Sequence, residues 1–297
     1  MSETRSWKPH PVCCWCGSSF IQQEHFKRLA FVCPTDACRT RQLHWLELDT
    51  NGDLFNLPLP KQVELEEAVA SQQYGFICIG GDRAGGKSHS LRRLGYRYCR
   101  KYDGFNVLLL RRTFPELVRN HVQKAQREAR FLDAKYASYK VTFEKNDSVL
   151  EFGHCNDTED FTRYVGAEYD LVIYDQLEMF TEQQFTEINA CVGRIYRPGW
   201  RGVAIAGENP GGPLSAFVDH LFISKDQDRE KYPDYDPSQY HFIPAHLEDN
   251  AYIPANYSDF LAGLEPNKRE MYRFGNRDRF PGQFFSTFSK SQHVSNL

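Results

Sequence analysis

Tyr74-Gly75-Phe76-Ile77-Cys78-Ile79-Gly80-Gly81-Asp82-Arg83-Ala84-Gly85-Gly86-Lys87-Ser88-His89-Ser90-Leu91 is the stretch on which the reading of this chain turns. Phe76 to Ile79 is an unbroken apolar run, the mark of a strand buried on both faces. Gly81 to Ser88 fits G-x-x-x-x-G-K-[ST], and the pattern after it suits a helix. Strand, glycine-rich loop and helix in that order predict a phosphate-binding loop rather than a chance glycine-rich turn. The glycines let backbone N–H groups turn toward phosphate oxygens, and the new helix offers its positive end to the same anion. The cradle runs over Gly81, Asp82, Arg83, Ala84, Gly85, Gly86, Lys87, Ser88 and His89. Lys87 can reach the β- and γ-phosphates, and the Ser88 hydroxyl can ligate Mg²⁺. ATP and Mg²⁺ are the ligands to expect. What the nucleotide energy is used for must be read elsewhere.

A second apolar strand is predicted over Asn106 to Leu110, ending in Arg111-Arg112-Thr113-Phe114-Pro115. Arginines at the carboxyl end of a central strand lie at the edge where open α/β sheets bind ligands. A helix is expected from about Pro115 to Leu132. Its Arg119, His121, Lys124, Arg127 and Arg130 suit a solvated face, with a DNA-facing one as the alternative. Tyr139 to Phe143 and Ser148 to Phe152 read as a hairpin around Lys145-Asn146-Asp147. Asp170-Leu171-Val172-Ile173-Tyr174-Asp175 is an apolar strand that closes on an acid. With a phosphate loop upstream, Asp175 is the expected partner of the metal.

In ATPases of the additional-strand type a Glu follows this Asp and polarises the attacking water. Here Gln176 follows, and the nearest Glu is Glu178. An amide orients water but does not take its proton. Either Glu178 serves, or the chain holds ATP and hydrolyses it slowly. Two residues of offset would aim Glu178 differently, so slow hydrolysis is the expectation. Thr181 caps a helix expected to run to about Ile195, and Gly202 to Ala206 reads as another buried strand. It leads to Gly207-Glu208-Asn209-Pro210-Gly211-Gly212-Pro213, where Asn209 is placed to sense the γ-phosphate or simply to make an Asn-Pro turn. Gln62, near the start of an upstream helix, is a candidate reader of the adenine edge; the alternative is a surface residue.

Five of the 9 Cys fall before residue 39. Cys13-x-x-Cys16 and Cys33-x-x-x-x-Cys38 form two short hooks that suit a structural, tetrahedral zinc site of four thiolates, with Cys14 a substitute ligand. Metal analysis without zinc would remove this expectation. The net charge of −3 announces no global basic field for nucleic acid. No stretch has the length of a membrane span and no signal-peptide core opens the chain, which points to the cytoplasm. The organisation expected is a zinc-ribbon-like module over residues 1–48, a P-loop ATPase core over 49–240, and a small lid over 241–297.

These ordered motifs together resemble the ATPase domain of the large terminase subunit of tailed bacteriophages. The resemblance covers about residues 55 to 290. It rests on Pro60-Lys61-Gln62, on Gly80 to Ser88, on Leu110-Arg111-Arg112-Thr113-Phe114-Pro115, on Tyr174-Asp175-Gln176-Leu177-Glu178 and on Gly207 to Pro213. It implies an α/β fold of the additional-strand class: a mainly parallel sheet flanked by helices, with a lid. It further implies a homo-oligomeric ring, a pentamer, that sits on the portal protein with the small terminase subunit and drives double-stranded viral DNA into a prohead in the host cytoplasm, with no membrane partner. By the same resemblance Arg83 and Arg112 are arginine-finger candidates, Arg112 being the favoured one to act in trans. The chain departs from the family at Gln176, where Glu is expected. It also stops where the family's linker to a nuclease domain begins, so a motor domain without nuclease activity is expected. Competing readings are a superfamily-2-like helicase, a kinase-like P-loop enzyme and a nucleotide-gated binding module.

Overall fold

The computed structural model describes residues 18, 19, 21–25, 28–39, 58–254 and 256–277. Its centre is an eight-stranded sheet in the order β10-β3-β9-β8-β4-β7-β6-β5. The strands are β3 (Phe76–Gly81), β4 (Asn106–Arg111), β5 (Lys135–Ala137), β6 (Lys140–Phe143), β7 (Ser148–His154), β8 (Leu171–Asp175), β9 (Val203–Glu208) and β10 (Tyr240–Ala245). From β10 to β7 every pairing is parallel; β6 and β5 add on antiparallel, as the expected hairpin requires. The strand of the phosphate loop, β3, does not touch β8, because β9 lies between them. That inserted strand is the one the additional-strand class is named for.

Parallel strands crossed by helices are buried on both faces, so they read as continuous apolar runs. All five residues of β8 are buried. Along β4 the side chains alternate: Val107 and Leu109 enter one core, Leu108 and Leu110 the other. The first core is covered by the helices Pro60–Ala70 and Lys87–Lys101 and the helical stretch after β4. The second is covered by Glu182–Asn189 and by the turns over Ser215–Val218 and Asp219–Ile223. Buried charge pairs fix the covering helices. Arg92 makes a bidentate contact with Glu128, 2.6 Å on each arm, and Arg97 donates to Glu66 at 2.6 Å.

Three sequence expectations shift. The helix begun at Thr181 ends at Asn189 rather than near Ile195. The chain there turns to bridge Val192 with Tyr169, and Gly193, at φ +71°, donates to the Tyr169 carbonyl. The helix after β4 is not uniform: Phe114–Leu117 and Gln123–Glu128 flank a π-helical turn, Val118–Val122. The boundary expected at residue 240 falls at the start of a core strand, since β10 pairs along its whole length with β3. Among the described residues, a short turn at Leu247–Asp249 and the helices Tyr257–Ala262 and Pro266–Phe274 follow the last strand.

At the N-terminal end, β1 (Ile21–His25) and β2 (Arg28–Val32) form an antiparallel hairpin. Cys33 and Cys38 follow it, both buried against Leu59 and Ala251. Cys13, Cys14 and Cys16 lie outside the described residues, so the expected four-thiolate site is only half in view. Among the described residues no group of three or more His, Cys, Asp or Glu is arranged to hold a metal ion. Nor is any helix among them long and apolar enough to cross a membrane.

Candidate active site

Strand register assembles the site. Arg111, Asp175 and Gly207 stand level at the carboxyl ends of β4, β8 and β9, and Glu208 stands beside Gly80 of β3. A cavity of about 510 Å³ opens at this edge, a volume in the range of small-ligand and cofactor sites. The phosphate loop forms one wall, from Arg83 to His89. Gly81, at φ +129°, tolerates no side chain, because a Cβ there would meet the Ala245 carbonyl at 2.5 Å. Gly86, at φ +80°, is the left-handed residue from which the helix Lys87–Lys101 departs. Fifteen helical residues thus aim their N-terminus at the cavity.

Lys87 is buried, and its ammonium donates to the carbonyls of Gly81, at 3.3 Å, and Asp82. Burial lowers its pKa, while the carboxylates of Glu208 and Glu178 pull the other way. Asp82 does not face the cavity: its carboxylate accepts from the Leu247 N–H at 3.3 Å and lies 3.3 Å from His246 Nδ1. Asn250 caps the loop from the same side, donating to the Ala84 carbonyl at 2.6 Å. Burial, reinforced by Arg92 and Arg93, lowers the His89 pKa to about 3, so its ring is neutral. Gln62 is buried, not a surface residue. Its amide accepts from the Leu59 N–H at 3.1 Å and donates to the Gly86 carbonyl at 3.2 Å, bracing the loop from behind.

Asp175 is the hub. Ser88 donates to its Oδ1 at 2.9 Å; His121 Nε2, at 2.8 Å, and the Arg111 guanidinium share its Oδ2. Burial alone would push this carboxyl up, but the His121 hydrogen bond, Arg111 and Ser88 hold it well below the ordinary carboxylate range. Burial lowers the His121 pKa, and because the Asp175 carboxylate can only accept, His121 Nε2 is the donor in their hydrogen bond. A hydroxyl and a carboxylate oxygen in contact at a helix N-terminus are the hard donors Mg²⁺ takes, usually with several waters retained. The chemistry of Ser88 and Asp175 therefore fits that ion.

Sequence reasoning missed His121, which it placed among solvent-facing cations. The residue is fully buried on the π-helical turn, and such turns gather at functional sites. It also noted Arg111 without its role. The Arg111 guanidinium binds both Asp175 and the Gln176 amide oxygen. Gln176 lies in the left-handed region, at φ 66° and ψ 62°, a conformation that is strained outside glycine and that recurs at functional sites.

Gln176 and Asn209 both line the cavity. Glu178 is fully enclosed behind it, where its Oε1 accepts from the Asn209 amide at 3.4 Å. Burial, with the neighbouring Glu208 carboxylate, raises the Glu178 pKa to about 8. Glu208 is raised too, chiefly by burial, against the pull of Arg277, which bridges it to Asp219. Gly211, in the loop after Asn209, abuts Met271 of the helix Pro266–Phe274. That helix also meets the phosphate loop. The Arg83 guanidinium lies 3.4 Å above the centre of the Tyr272 ring, and the Arg83 N–H donates to the Tyr272 carbonyl at 3.0 Å. Arg112 sits differently, half-buried and donating to the Asn156 carbonyl.

No protein-family model and no curated protein sequence matches the chain. Solved structures do. The large terminase of a thermophilic bacteriophage in complex with ADP superposes with a TM-score of 0.57 at 15% identity, over 74% of this chain and 54% of that one. The large terminase ATPase domain of Thermus phage P74-26 gives 0.54 at 14% identity, over 82% of this chain and 98% of that one. The HK97 bacteriophage large terminase gives 0.50 at 12% identity, over 73% and 50%. This chain spans about half the length of the large terminases it matches and nearly the whole of the separate ATPase domain. At such identities the likeness establishes the fold: a P-loop NTPase sheet of the kind found in terminase ATPase domains.

Proposed function

We propose that this chain is the motor domain of a phage DNA-packaging machine, one that binds ATP with Mg²⁺ and hydrolyses it slowly. The observation that carries the reading is the cluster of Lys87, Ser88, Asp175 and Gln176 at the carboxyl edge of a sheet whose solved neighbours are large terminases. The loop from Arg83 to His89 cradles the phosphates and Lys87 neutralises them. Ser88 and Asp175 would hold Mg²⁺, which when bound would supply Lewis-acid polarisation of the phosphate oxygens. Asn209 touches the Glu178 side chain and borders the loop against which Met271 rests, so nucleotide state can reach the helix Pro266–Phe274. Arg112 of one subunit is assigned to the nucleotide of the next, with Arg83 acting within its own subunit.

In this reading copies of the chain form a ring on the portal protein, work with the small terminase subunit in the host cytoplasm, and move double-stranded DNA through phosphate contacts. Such contacts ignore sequence and weaken steeply with salt. ATP-loaded protein is therefore expected to bind random-sequence duplex DNA, with affinity falling as salt rises in a filter-binding or anisotropy titration. Salt-independent binding or none, free or assembled on a portal, would end the translocase assignment and leave a bare ATPase. A zinc site on Cys13, Cys16, Cys33 and Cys38 belongs to the same proposal. It rests on the hook spacing and on the burial of Cys33 and Cys38, and the metal content of the purified chain, expected at one zinc per molecule, decides it.

A further inference from the structure

The position where a water-activating carboxylate is expected holds an amide, Gln176, and the nearest downstream acid, Glu178, is sealed behind the cavity. Among the described residues two carboxylates line that cavity, Asp175 and Glu116. Both oxygens of Asp175 are engaged, by Ser88 on one side and by His121 and Arg111 on the other. Glu116 is open. Its side chain is 35% exposed, its Oε2 accepts from the Thr113 hydroxyl at 3.0 Å, and Arg111 Nε lies 3.9 Å from the same oxygen. Arg111 is thus the common neighbour of Asp175, Gln176 and Glu116. Glu116 lines the same cavity as Lys87, Ser88 and Gln176.

We propose that Glu116 is the catalytic base of this chain, standing in for the carboxylate that position 176 lacks; the inference rests on the ATP-hydrolysis reading above. An O–H bond of the water breaks and its proton moves to a Glu116 carboxylate oxygen. The water oxygen bonds to the γ-phosphorus, and the bond from that phosphorus to its bridging oxygen breaks, the electron pair leaving with ADP. Glu116 then releases its proton to the solvent it already faces. The Gln176 amide orients the water without accepting the proton. Arg111, held by Asp175, keeps both groups in place.

The test is Glu116→Gln in the full chain, in the native background and with Gln176→Glu. The amide keeps an acceptor for Thr113, so the turn it sits in is preserved. Single-turnover hydrolysis in the native background is expected to fall on the order of 10²-fold, with ATP affinity within about twofold. With Glu at position 176 the same change is expected to lose at least about fivefold less, because the restored carboxylate takes the proton. Equal losses in the two backgrounds would show a structural role and overturn the proposal. So would no loss in the native background, or a native chain that binds ATP and never turns it over. A native chain that fails to bind ATP would instead remove the underlying ATPase reading, and this one with it.

Discussion

Replacing Gln176 with Glu is expected to raise single-turnover ATP hydrolysis on the order of 10-fold, the part of a general base's gain that a carboxylate beside the metal site adds over Glu116. The side chains are nearly isosteric, and the Gln176 amide oxygen already accepts from Arg111. A carboxylate therefore enters without repacking and with a cation waiting for it. The left-handed backbone at φ 66° strains both residues alike, so the comparison isolates the chemistry. What changes is basicity: the amide offers lone pairs that align a water, whereas the carboxylate also takes its proton. ATP affinity should move little, because Lys87 and the glycine cradle are untouched. Rapid mixing with enzyme in excess over ATP, reading released phosphate, makes the measurement. A variant no faster than the native chain would take position 176 out of the chemistry, and robust turnover by the native chain would do the same.

The parts of this site that were legible in the sequence are the parts made by consecutive residues. The phosphate loop is one strand, one loop and one helix start, so its period and its glycines announce it without tertiary knowledge. Asp175 is legible for the same reason, as the acid closing an apolar run. The rest is built by residues far apart. His121 stands 54 residues from Asp175, on a turn whose neighbours Arg119 and Lys124 suggest a wet face. Its burial follows from packing against the sheet, with Leu117 and Val122 beside it in the core, and that pattern is masked by the surrounding charge. Glu208 reads as part of a glycine-rich turn, yet it ends β9 with no exposed surface and meets Arg277 from 69 residues away.

β10 shows the same limit in the fold. Tyr240-His241-Phe242-Ile243-Pro244-Ala245 alternates poorly and contains a proline, which argues against a central strand. It forms at the sheet edge, where the missing N–H of Pro244 leaves no ladder partner unsatisfied. Its pairing with β3 across more than half of the described chain is a non-local fact. The consequence is functional. The segment His246 to Asn250, which braces Asp82 and Ala84, is carried by that strand, so the phosphate loop is held from a part of the chain that the sequence assigned to a separate lid.

Asp175→Asn is expected to reduce hydrolysis by a factor of at least about 10³ and to remove the Mg²⁺ dependence of nucleotide binding, since a neutral amide is a poor ligand for a hard cation. It should also destabilise the fold, for a separate reason. The Arg111 side chain is 8% exposed and its charge is balanced chiefly by Asp175. Breaking a buried pair from one side leaves an uncompensated charge, a loss of about 3 kcal/mol. His121, fully buried, keeps an acceptor in the new amide, so the charge is what matters. Adding Arg111→Gln to Asp175→Asn removes that charge. The double variant is expected to recover most of the lost stability in urea titration while remaining inactive. Recovery of stability without activity would separate the counter-charge that Asp175 gives Arg111 in the folded chain from the metal-holding role proposed for it. A double variant as unstable as Asp175→Asn alone would deny the first role, and an Asp175→Asn chain with Mg²⁺-dependent turnover would deny the second.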